Sequence, residues 1–299
     1  MRHLTVLVGT ADGLYTVSDR TSPVFEGRSV DAVSVSSDGI WAIVGGGELR
    51  HELMRGEGRV VAELSGETAN CLLVTDGRVL VGASGASVFE LGDGELVRIR
   101  SFDEVPGRSD WYTPWGGPPD VRSMAAGGGG TLYVNVHVGG VARTTDGGTS
   151  WTDTLDIHAD VHQVVAADPG RAYAATARGL AVTSDGADSW QFTTAGLDHP
   201  YCRAVAYSDT SVFVSGSQGP GGGMAGLYRM ASGGAAFQRC TGGLPEWFSK
   251  NLDTFCLQAS GRTVVAGDAD GTVHASFDDG ARWQLIAEGL PSIRCVAIV

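Results

Sequence analysis

A hairpin-forming stretch that occurs three times is the feature that most restricts what this chain can fold into. The three copies, named here the repeat hairpins, are TTDGGTSW (144–151), TSDGADSW (183–190) and SFDDGARW (276–283). Each places an Asp two residues after a Ser or Thr and ends in Trp. A tight β-hairpin needs a carboxylate that accepts loop amides, small residues that tolerate positive φ and a ring that packs back on the sheet. The repetition predicts an array of equivalent β-units.

The repeat hairpins resemble the Asp box, or BNR repeat (S/T-x-D-x-G-x-x-W), of sialidase-like β-propellers. The photosystem II assembly factors, which are seven-bladed propellers, also carry this box. The resemblance implies that each copy forms the hairpin between the third and fourth strands of a blade, at the rim away from the binding face. It indicates an architecture and leaves the activity open, because one propeller fold hosts many chemistries.

Seven other segments match the innermost strand of a propeller blade, with one small or apolar residue, one polar residue and then apolar residues. They begin at Val30, Ala69, Val121, Val161, Cys202, Leu252 and Ile293. Six are followed by a turn at a similar offset, whereas the seventh reaches the last residue, Val299. Residues 3–27 read as three strands without an innermost one, so we predict that the C-terminal strand joins them. This closure leaves no open sheet edge.

These patterns predict an all-β fold, a seven-bladed β-propeller of four-stranded antiparallel blades, formed as a single domain by residues 1–299. The 45 glycines fit many short strands joined by tight turns. No stretch approaches the roughly 20 apolar residues of a membrane span, and residues 1–18 read as a strand and hairpin rather than a signal peptide. We therefore expect a cytoplasmic protein without a membrane partner.

Charge and cysteine content narrow the partners and the compartment. The formal net charge is −13, from 21 Lys and Arg against 34 Asp and Glu. This balance argues against nucleic acid as a partner, because phosphate contacts need an excess of cations. The five cysteines are an odd number, and four of them fall in predicted core strands, where a free Cys behaves as a small apolar residue. No disulfide framework is expected.

The polar residue of each innermost strand is expected at the mouth of the central channel, opposite the repeat hairpins. In chain order these residues are Asp31, Asn70, Arg122, His162, Arg203, Asp253 and Arg294. A guanidinium offers a planar fork of donors that suits carboxylate or phosphate. We therefore predict that Arg122, Arg203 and Arg294 bind a small anionic or glycan-like molecule. The alternative is that each arginine pairs with a neighbouring Asp of the channel lining.

Sialidases also use an arginine trio on a propeller, and the resemblance implies Tyr201 as the nucleophile, Glu246 as its partner and Asp160 as the acid. We place Tyr201 among the ligand-binding residues. The chain departs from that family in lacking its Arg-Ile-Pro motif, the nearest match being residues 120–122, and sialidases have six blades. We therefore expect a broader glycosidase-like hydrolase or lyase. Its catalytic candidates are Asp160 and Asp253, two carboxylates that this chemistry requires to lie roughly 5–10 Å apart across the channel, and His162 as a general acid or base.

Histidines near the mouth raise the question of a metal. His137 ends a predicted second strand and is expected to face the same mouth as His162, so it joins the ligand-binding residues. His158 precedes His162 by four residues, but four residues of an extended strand span about 13 Å, so this pair shares a zinc only if the loop doubles back. We predict neither a metal nor a cofactor. The alternative for each histidine is a hydrogen-bonded place in the channel wall.

Aromatic residues are concentrated on segments expected at the same face. Trp111, Tyr112 and Trp115 lie in the proline-rich segment 109–120, and Trp247 lies in another long segment. Aromatic rings stack on sugars and organic ligands, so we predict that these four side chains bind the ligand. Large aromatic residues also fill gaps between blades, and this alternative stays open.

Two classes of function fit these observations. The first is an enzyme or small-ligand binder that works at the channel mouth, with the arginines as anchors. The second is a non-catalytic interaction module, like the assembly factors, whose mouth face docks another protein. A deep cavity favours the first class, whereas a shallow charged plateau favours the second.

Overall fold

A ring of short antiparallel sheets accounts for the regular structure of the chain. The structure is a computed structural model that describes residues 4–17, 23–52, 56 and 58–299. Within these residues 27 strands form seven sheets, one for each blade. The strands of each sheet are consecutive in sequence, apart from the sheet that joins the two ends of the chain. The predicted seven-bladed β-propeller is confirmed.

The blades follow one another along the chain, each from its innermost to its outermost strand. The chain begins with two strands of blade 7, β1 (Val6–Thr10) and β2 (Gly13–Val17). Blade 1 contains β3 (Val30–Ser36), β4 (Gly39–Val44), β5 (Glu48–His51) and β6 (Arg59–Glu63). Blade 2 contains β7 (Ala69–Thr75), β8 (Arg78–Ala83), β9 (Ser87–Leu91) and β10 (Leu96–Arg98). Blade 3 contains β11 (Val121–Gly128), β12 (Thr131–Val136), β13 (Gly140–Thr144) and β14 (Thr152–Leu155).

The remaining blades repeat this order. Blade 4 contains β15 (Val161–Asp168), β16 (Arg171–Thr176), β17 (Gly179–Thr183) and β18 (Gln191–Thr193). Blade 5 contains β19 (Val205–Tyr207), β20 (Ser211–Gly216), β21 (Gly226–Ala231) and β22 (Gln238–Arg239). Blade 6 contains β23 (Leu257–Ser260), β24 (Thr263–Gly267), β25 (Val273–Ser276) and β26 (Gln284–Ala287). The last strand is β27 (Ile293–Ile298), the innermost strand of blade 7.

The two ends of the chain share one sheet, as the sequence predicts. Strand β27 pairs antiparallel with β1, with Val6 opposite Ile298, and the sheet order is β2-β1-β27. The amide of Val299 donates to the carbonyl of Thr5 over 3.0 Å. Residues 18–22 of the predicted fourth strand lie outside the described residues, and Val24 beyond them forms an isolated bridge with Leu14. Pairing head to tail closes the ring and removes two sheet edges.

In the part of the chain that the structure describes, helical structure is limited to short 3-10 turns. Those in the described residues are Ser84–Ala86, Arg100–Glu104, Pro106–Asp110 and Ile157–Ala159. In this part of the chain no helix has the length and apolar character needed to cross a membrane.

The core lies between the blades, where the second strand of one blade packs on the first strand of the next. Every residue of β8 after Arg78 is buried, for example. A Cβ added at Gly82 would overlap the Sγ of Cys71 in its own blade and the Cγ1 of Val121 in the next. Glycine is required here because two blades approach within van der Waals contact of one backbone.

The repeat hairpins have the turn chemistry that the sequence predicts. The hydroxyl of Thr144 donates to Oδ1 of Asp146 over 2.7 Å, and Thr183 and Ser276 make the same contact in the other two copies. Asp146 also accepts from the amide and the hydroxyl of Ser150. These bonds, of which that from the Ser150 hydroxyl has the largest effect, hold the pKa of Asp146 well below its ordinary value.

An arginine of the preceding blade contacts each repeat hairpin. Arg78 donates to the carbonyl of Gly147 over 3.0 Å, and Arg143 forms an ion pair with Asp188 over 2.7 Å. Arg229 forms an ion pair of 2.6 Å with Asp279. The hairpins therefore fasten neighbouring blades to each other at the rim, a role that the hairpin pattern alone did not indicate.

Two innermost strands begin later than predicted. The sequence pattern starts them at Cys202 and Leu252, whereas β19 and β23 begin at Val205 and Leu257. In blade 6 the amide of Cys256 donates to the carbonyl of Asp253, and Phe255 has φ +65. A local turn therefore replaces the first strand residues, because this backbone conformation is incompatible with an extended strand.

Candidate functional site

Irregular strand starts turn a ring of polar residues towards the channel. In five blades the register of the innermost strand shifts by one residue near its beginning. The extra residues are Asp31, Asn70, Arg122, His162 and Arg294. A β-bulge leaves its extra residue unpaired and re-aims the side chain. Arg203 and Asp253 lie just before β19 and β23, so neither is in a strand.

These residues surround one large cavity at the channel mouth, named here the mouth cavity. Its volume is about 910 Å³, near the upper end of ordinary small-molecule sites. Six of the seven predicted mouth residues line it, namely Asp31, Asn70, Arg122, Arg203, Asp253 and Arg294. His137, Asp120, Lys250 and Thr254 also contribute to the lining. The remaining mouth residue, His162, is buried behind the wall.

The three arginines of the ring are paired with ring carboxylates. Asp253 accepts from Arg122 over 2.6 Å through one oxygen and from Arg203 over 2.9 Å through the other. Arg294 pairs with Asp31 over 2.6 Å. Burial alone would raise the pKa of Asp253, but the charges of Arg122 and Arg203 outweigh it and keep the carboxyl ionised. The structure therefore shows the alternative considered in the sequence analysis, in which each arginine pairs with an Asp of the channel lining.

Two residues of the cavity wall nevertheless have N–H groups that donate no hydrogen bond. Nδ2 of Asn70 and Nε of Arg203 are buried and have no hydrogen-bond partner among the described residues. Both residues line the mouth cavity. Asn70 belongs to the predicted ring but was not singled out from the sequence, because an Asn at the start of a strand carries no signal of its own.

A second polar cluster lies at the wall between blades 3 and 4. Nε2 of His137 is 3.4 Å from Oδ1 of Asp160, and Nε2 of His162 is 3.6 Å from Oδ2. Contacts with His137 and then with His162 hold the pKa of Asp160 well below its ordinary value, against the effect of burial. His158 is exposed and is not part of this cluster. The structure thus brings His137, rather than His158, to His162.

Hydrogen bonds define which ring nitrogen of His162 carries the proton. Its Nδ1 lies 2.6 Å from the carbonyl oxygen of Cys202, and a carbonyl only accepts, so Nδ1 carries the proton. Burial lowers the pKa of His162, which favours the neutral ring with a lone pair on Nε2. The hydroxyl of Tyr201 lies 3.1 Å from that Nε2 and donates to it. Tyr201, His162 and the carbonyl therefore form one oriented chain.

The predicted carboxylate pair is divided between two environments. Asp253 holds two arginines, whereas Asp160 faces two histidines. Both have lowered pKa values, so both are ionised at neutral pH. By contrast, burial raises the pKa of Asp120, a cavity residue whose role the sequence pattern did not indicate.

The fold does not bring the four predicted aromatic side chains together at the cavity. Trp115 is 65% exposed, and its ring centre lies 5.0 Å from that of His137, beside the mouth cavity. Tyr112 is 48% exposed on the same segment. Trp111 is only 7% exposed and packs on a core Phe, and Trp247 lies against the guanidinium of Arg239 and does not line the cavity. Trp111 therefore follows the alternative, in which a large aromatic side chain fills a gap between blades.

The fold and this mouth define the class of the protein as a β-propeller with a polar cavity at one end of its channel. A putative 6-phosphogluconolactonase from Bacteroides uniformis is similar over 100% of both chains, with 14% identity and a TM-score of 0.66. The WD40 β-propeller domain of Doa1 matches 90% of this chain and 86% of its own, with 15% identity and a TM-score of 0.66.

A third similar structure is YCF48 from Cyanidioschyzon merolae. The match covers 88% of this chain and 87% of that one, with 15% identity and a TM-score of 0.58. No protein-family model and no curated protein matches the sequence. At these identities the likeness shows the propeller fold alone.

Proposed function

We propose that this propeller binds a small anionic or glycan-like molecule in its mouth cavity and acts on it as a hydrolase or lyase. The observation that carries the proposal is a pair of buried donors, Nδ2 of Asn70 and Nε of Arg203, that belong to cavity-lining residues and have no hydrogen-bond partner among the described residues. A buried donor without an acceptor raises the free energy of the folded state. Ligand oxygens between the blades would satisfy both donors, so the cavity favours an acceptor-rich molecule.

We place the chemistry at the wall formed by His137, Asp160, His162 and Tyr201. A hydroxyl, a neutral base and a group that orients the base are the parts used in proton transfer and nucleophilic catalysis. Tyr201, His162 and the Cys202 carbonyl supply these parts in sequence. In this proposal Asp253 positions Arg122 and Arg203 and is not itself a proton donor. The exposed Trp115 forms the outer edge of the site.

Replacing Asn70 with Ala is expected to weaken ligand binding by roughly 5- to 100-fold, the equivalent of one buried hydrogen bond. Binding would be measured by titration calorimetry after a thermal-shift screen of uronic-acid glycosides, sugar phosphates and small dicarboxylic acids. Asn251→Ala is the matched control, because Asn251 also lines the cavity but already donates to the carbonyls of Gly219 and Pro220. A panel in which no compound shifts the wild-type melting temperature would count against the proposal.

The second candidate function is docking of a protein segment at the mouth. The exposed pair Tyr112 and Trp115 favours it, because exposed aromatic residues at a rim are typical anchors of protein interfaces. If docking is the function, Trp115→Ala abolishes complex formation with the partner. Phe277→Ala, which changes an aromatic residue of 48% exposure on a repeat hairpin, leaves it intact.

We also propose that the repeat hairpins are Asp boxes. The supporting observation is that the Ser or Thr hydroxyl contacts the Asp carboxylate in all three copies.

A further inference from the structure

We propose that His137, Asp160 and His162 form a binding site for a divalent transition-metal ion of the zinc type in the wall of the mouth cavity. This inference deepens the proposed function and rests on it only for the location of the chemistry. Binding of the ion itself is measurable without ligand or turnover, so the two proposals can fail separately.

The spacing of the three ligand atoms fits such an ion. The contacts of Asp160 with His137 and His162 are 3.4 and 3.6 Å, and the three ligand atoms all lie within 4.8 Å of one another. Ligand atoms about 2.0–2.1 Å from a tetrahedral zinc are about 3.3 Å apart. Closing the site therefore needs movements of roughly 1 Å or less, which side-chain rotation supplies.

The hydrogen bonds around both rings aim the correct nitrogen at the site. Nδ1 of His162 donates to the Cys202 carbonyl, which leaves a lone pair on Nε2, the nitrogen that lies 3.6 Å from Oδ2 of Asp160. A ring N–H held by a backbone carbonyl is the usual support of a metal-ligating histidine. Nε2 of His137 lies 3.5 Å from NH1 of Arg122, a donor, and 3.4 Å from Oδ1 of Asp160, an acceptor. The same nitrogen therefore faces the site, and an ion bound there would displace any proton that it carries.

The cluster contains more hydrogen-bond acceptors than donors. Oδ1 of Asp160 is buried, and its contact with Nε2 of His137 at 3.4 Å does not have the geometry of a hydrogen bond. The hydroxyl of Tyr201 satisfies Nε2 of His162, and the nearby charge of Arg122 is already paired with Asp253. A cation between the three ligands would neutralise Asp160 and occupy both nitrogen lone pairs. On binding, the Tyr201 hydroxyl would leave Nε2 and lie beside the ion.

The ligand set selects the kind of ion. Two imidazoles and one carboxylate suit zinc, cobalt(II) or iron(II), whereas magnesium and calcium prefer oxygen ligands throughout. Three protein ligands leave a coordination position open, as in catalytic sites. His137 lines the mouth cavity, so a ligand in that cavity would approach the ion past His137.

The test is titration of the ligand-free, chelator-treated protein with Zn²⁺ alone under reducing conditions, and with Co²⁺ followed by visible absorption. We expect one ion per chain and cobalt d–d bands without a thiolate charge-transfer band. His137→Ala and Asp160→Asn are each expected to weaken Zn²⁺ binding by about 100-fold or more. Asp160→Asn is nearly isosteric, so it keeps the test decisive if His137→Ala folds poorly.

Two variants serve as controls. His158→Ala removes an exposed histidine of the same segment and is expected to leave the affinity unchanged. Tyr201→Phe removes the competing hydroxyl and is expected to retain or tighten binding. A wild-type protein that shows no saturable binding, a cobalt spectrum of thiolate type, or Asp160→Asn with wild-type affinity would each overturn the metal site. Binding of the cavity ligand by chelator-treated protein is measured in parallel and reports on the proposed function alone.

Discussion

Removing residues 293–299 is expected to abolish cooperative folding. These residues include all of β27, the innermost strand of blade 7, in which Ile293, Cys295, Val296 and Ala297 are almost fully buried. Burying a branched aliphatic side chain such as Ile293 or Val296 stabilises the fold by about 1.5–3 kcal/mol. The truncation removes several buried side chains and the hydrogen bonds to β1. The resulting loss of stability is comparable to the whole free energy of unfolding of an ordinary protein, roughly 5–15 kcal/mol. Circular dichroism melts and size-exclusion chromatography measure the outcome.

The truncated chain would also expose the edge of β1 and the flank of blade 1, so we expect it to associate. Removal of Val299 alone is the matched control, because this residue is 42% exposed and lies beyond β27. The control should melt within a few degrees of the full chain. A monomeric truncated protein with a cooperative transition near the wild-type temperature would show that blade 7 does not hold the ring closed.

Asp279→Ala is expected to lower the free energy of unfolding by about 3–4 kcal/mol and the melting temperature by roughly 10 °C. Asp279 is 4% exposed and joins blades 5 and 6. It accepts hydrogen bonds of 2.6–2.8 Å from Ser208, Thr210, Ser211 and Arg229. Without the carboxylate, an arginine and three hydroxyls lose their acceptor in a largely buried place. Thermal and urea unfolding measure the change.

A matched control for Asp279 lies in another repeat hairpin. Asp188 also pairs with an arginine of the preceding blade, Arg143, but is 71% exposed. Exposed ion pairs contribute about 0–1 kcal/mol, so Asp188→Ala should have little effect. Equal losses in Asp188→Ala and Asp279→Ala would contradict the argument that burial makes the contact strong.

At acidic pH, the difference in unfolding free energy between the wild type and Asp279→Ala should become smaller. Burial would raise the pKa of Asp279, but bonds from Ser211, Ser208, Thr210 and Arg229 outweigh it, and the folded-state pKa is lower than 3.8. A group whose pKa falls on folding stabilises the protein above its unfolded-state pKa, and this stabilisation is lost as the pH falls through the folded-state pKa. The difference in unfolding free energy should therefore be constant near neutral pH and shrink below about pH 4.

The sequence by itself determined the number of blades and the closure of the ring. These properties rest on local patterns, because an innermost strand alternates in a recognisable way and a hairpin needs Asp and Gly at set positions. The same patterns placed Asp31, Asn70, Arg122 and Arg294 at the mouth, although the bulges that turn these side chains inwards could not be read from them.

Only the tertiary structure decided which mouth residues meet. Arg122 contacts Asp253, 131 residues away in sequence, and this pairing depends on how blades 3 and 6 face each other across the channel. His137 follows β12, Asp160 follows the 3-10 turn Ile157–Ala159 and His162 lies in β15, so no single spacing reveals their cluster. Trp111 and Trp115 have the same local composition around them, yet one is buried and the other is exposed. Local sequence specifies backbone period and turns, whereas side-chain partners across the channel follow from the packing of whole blades.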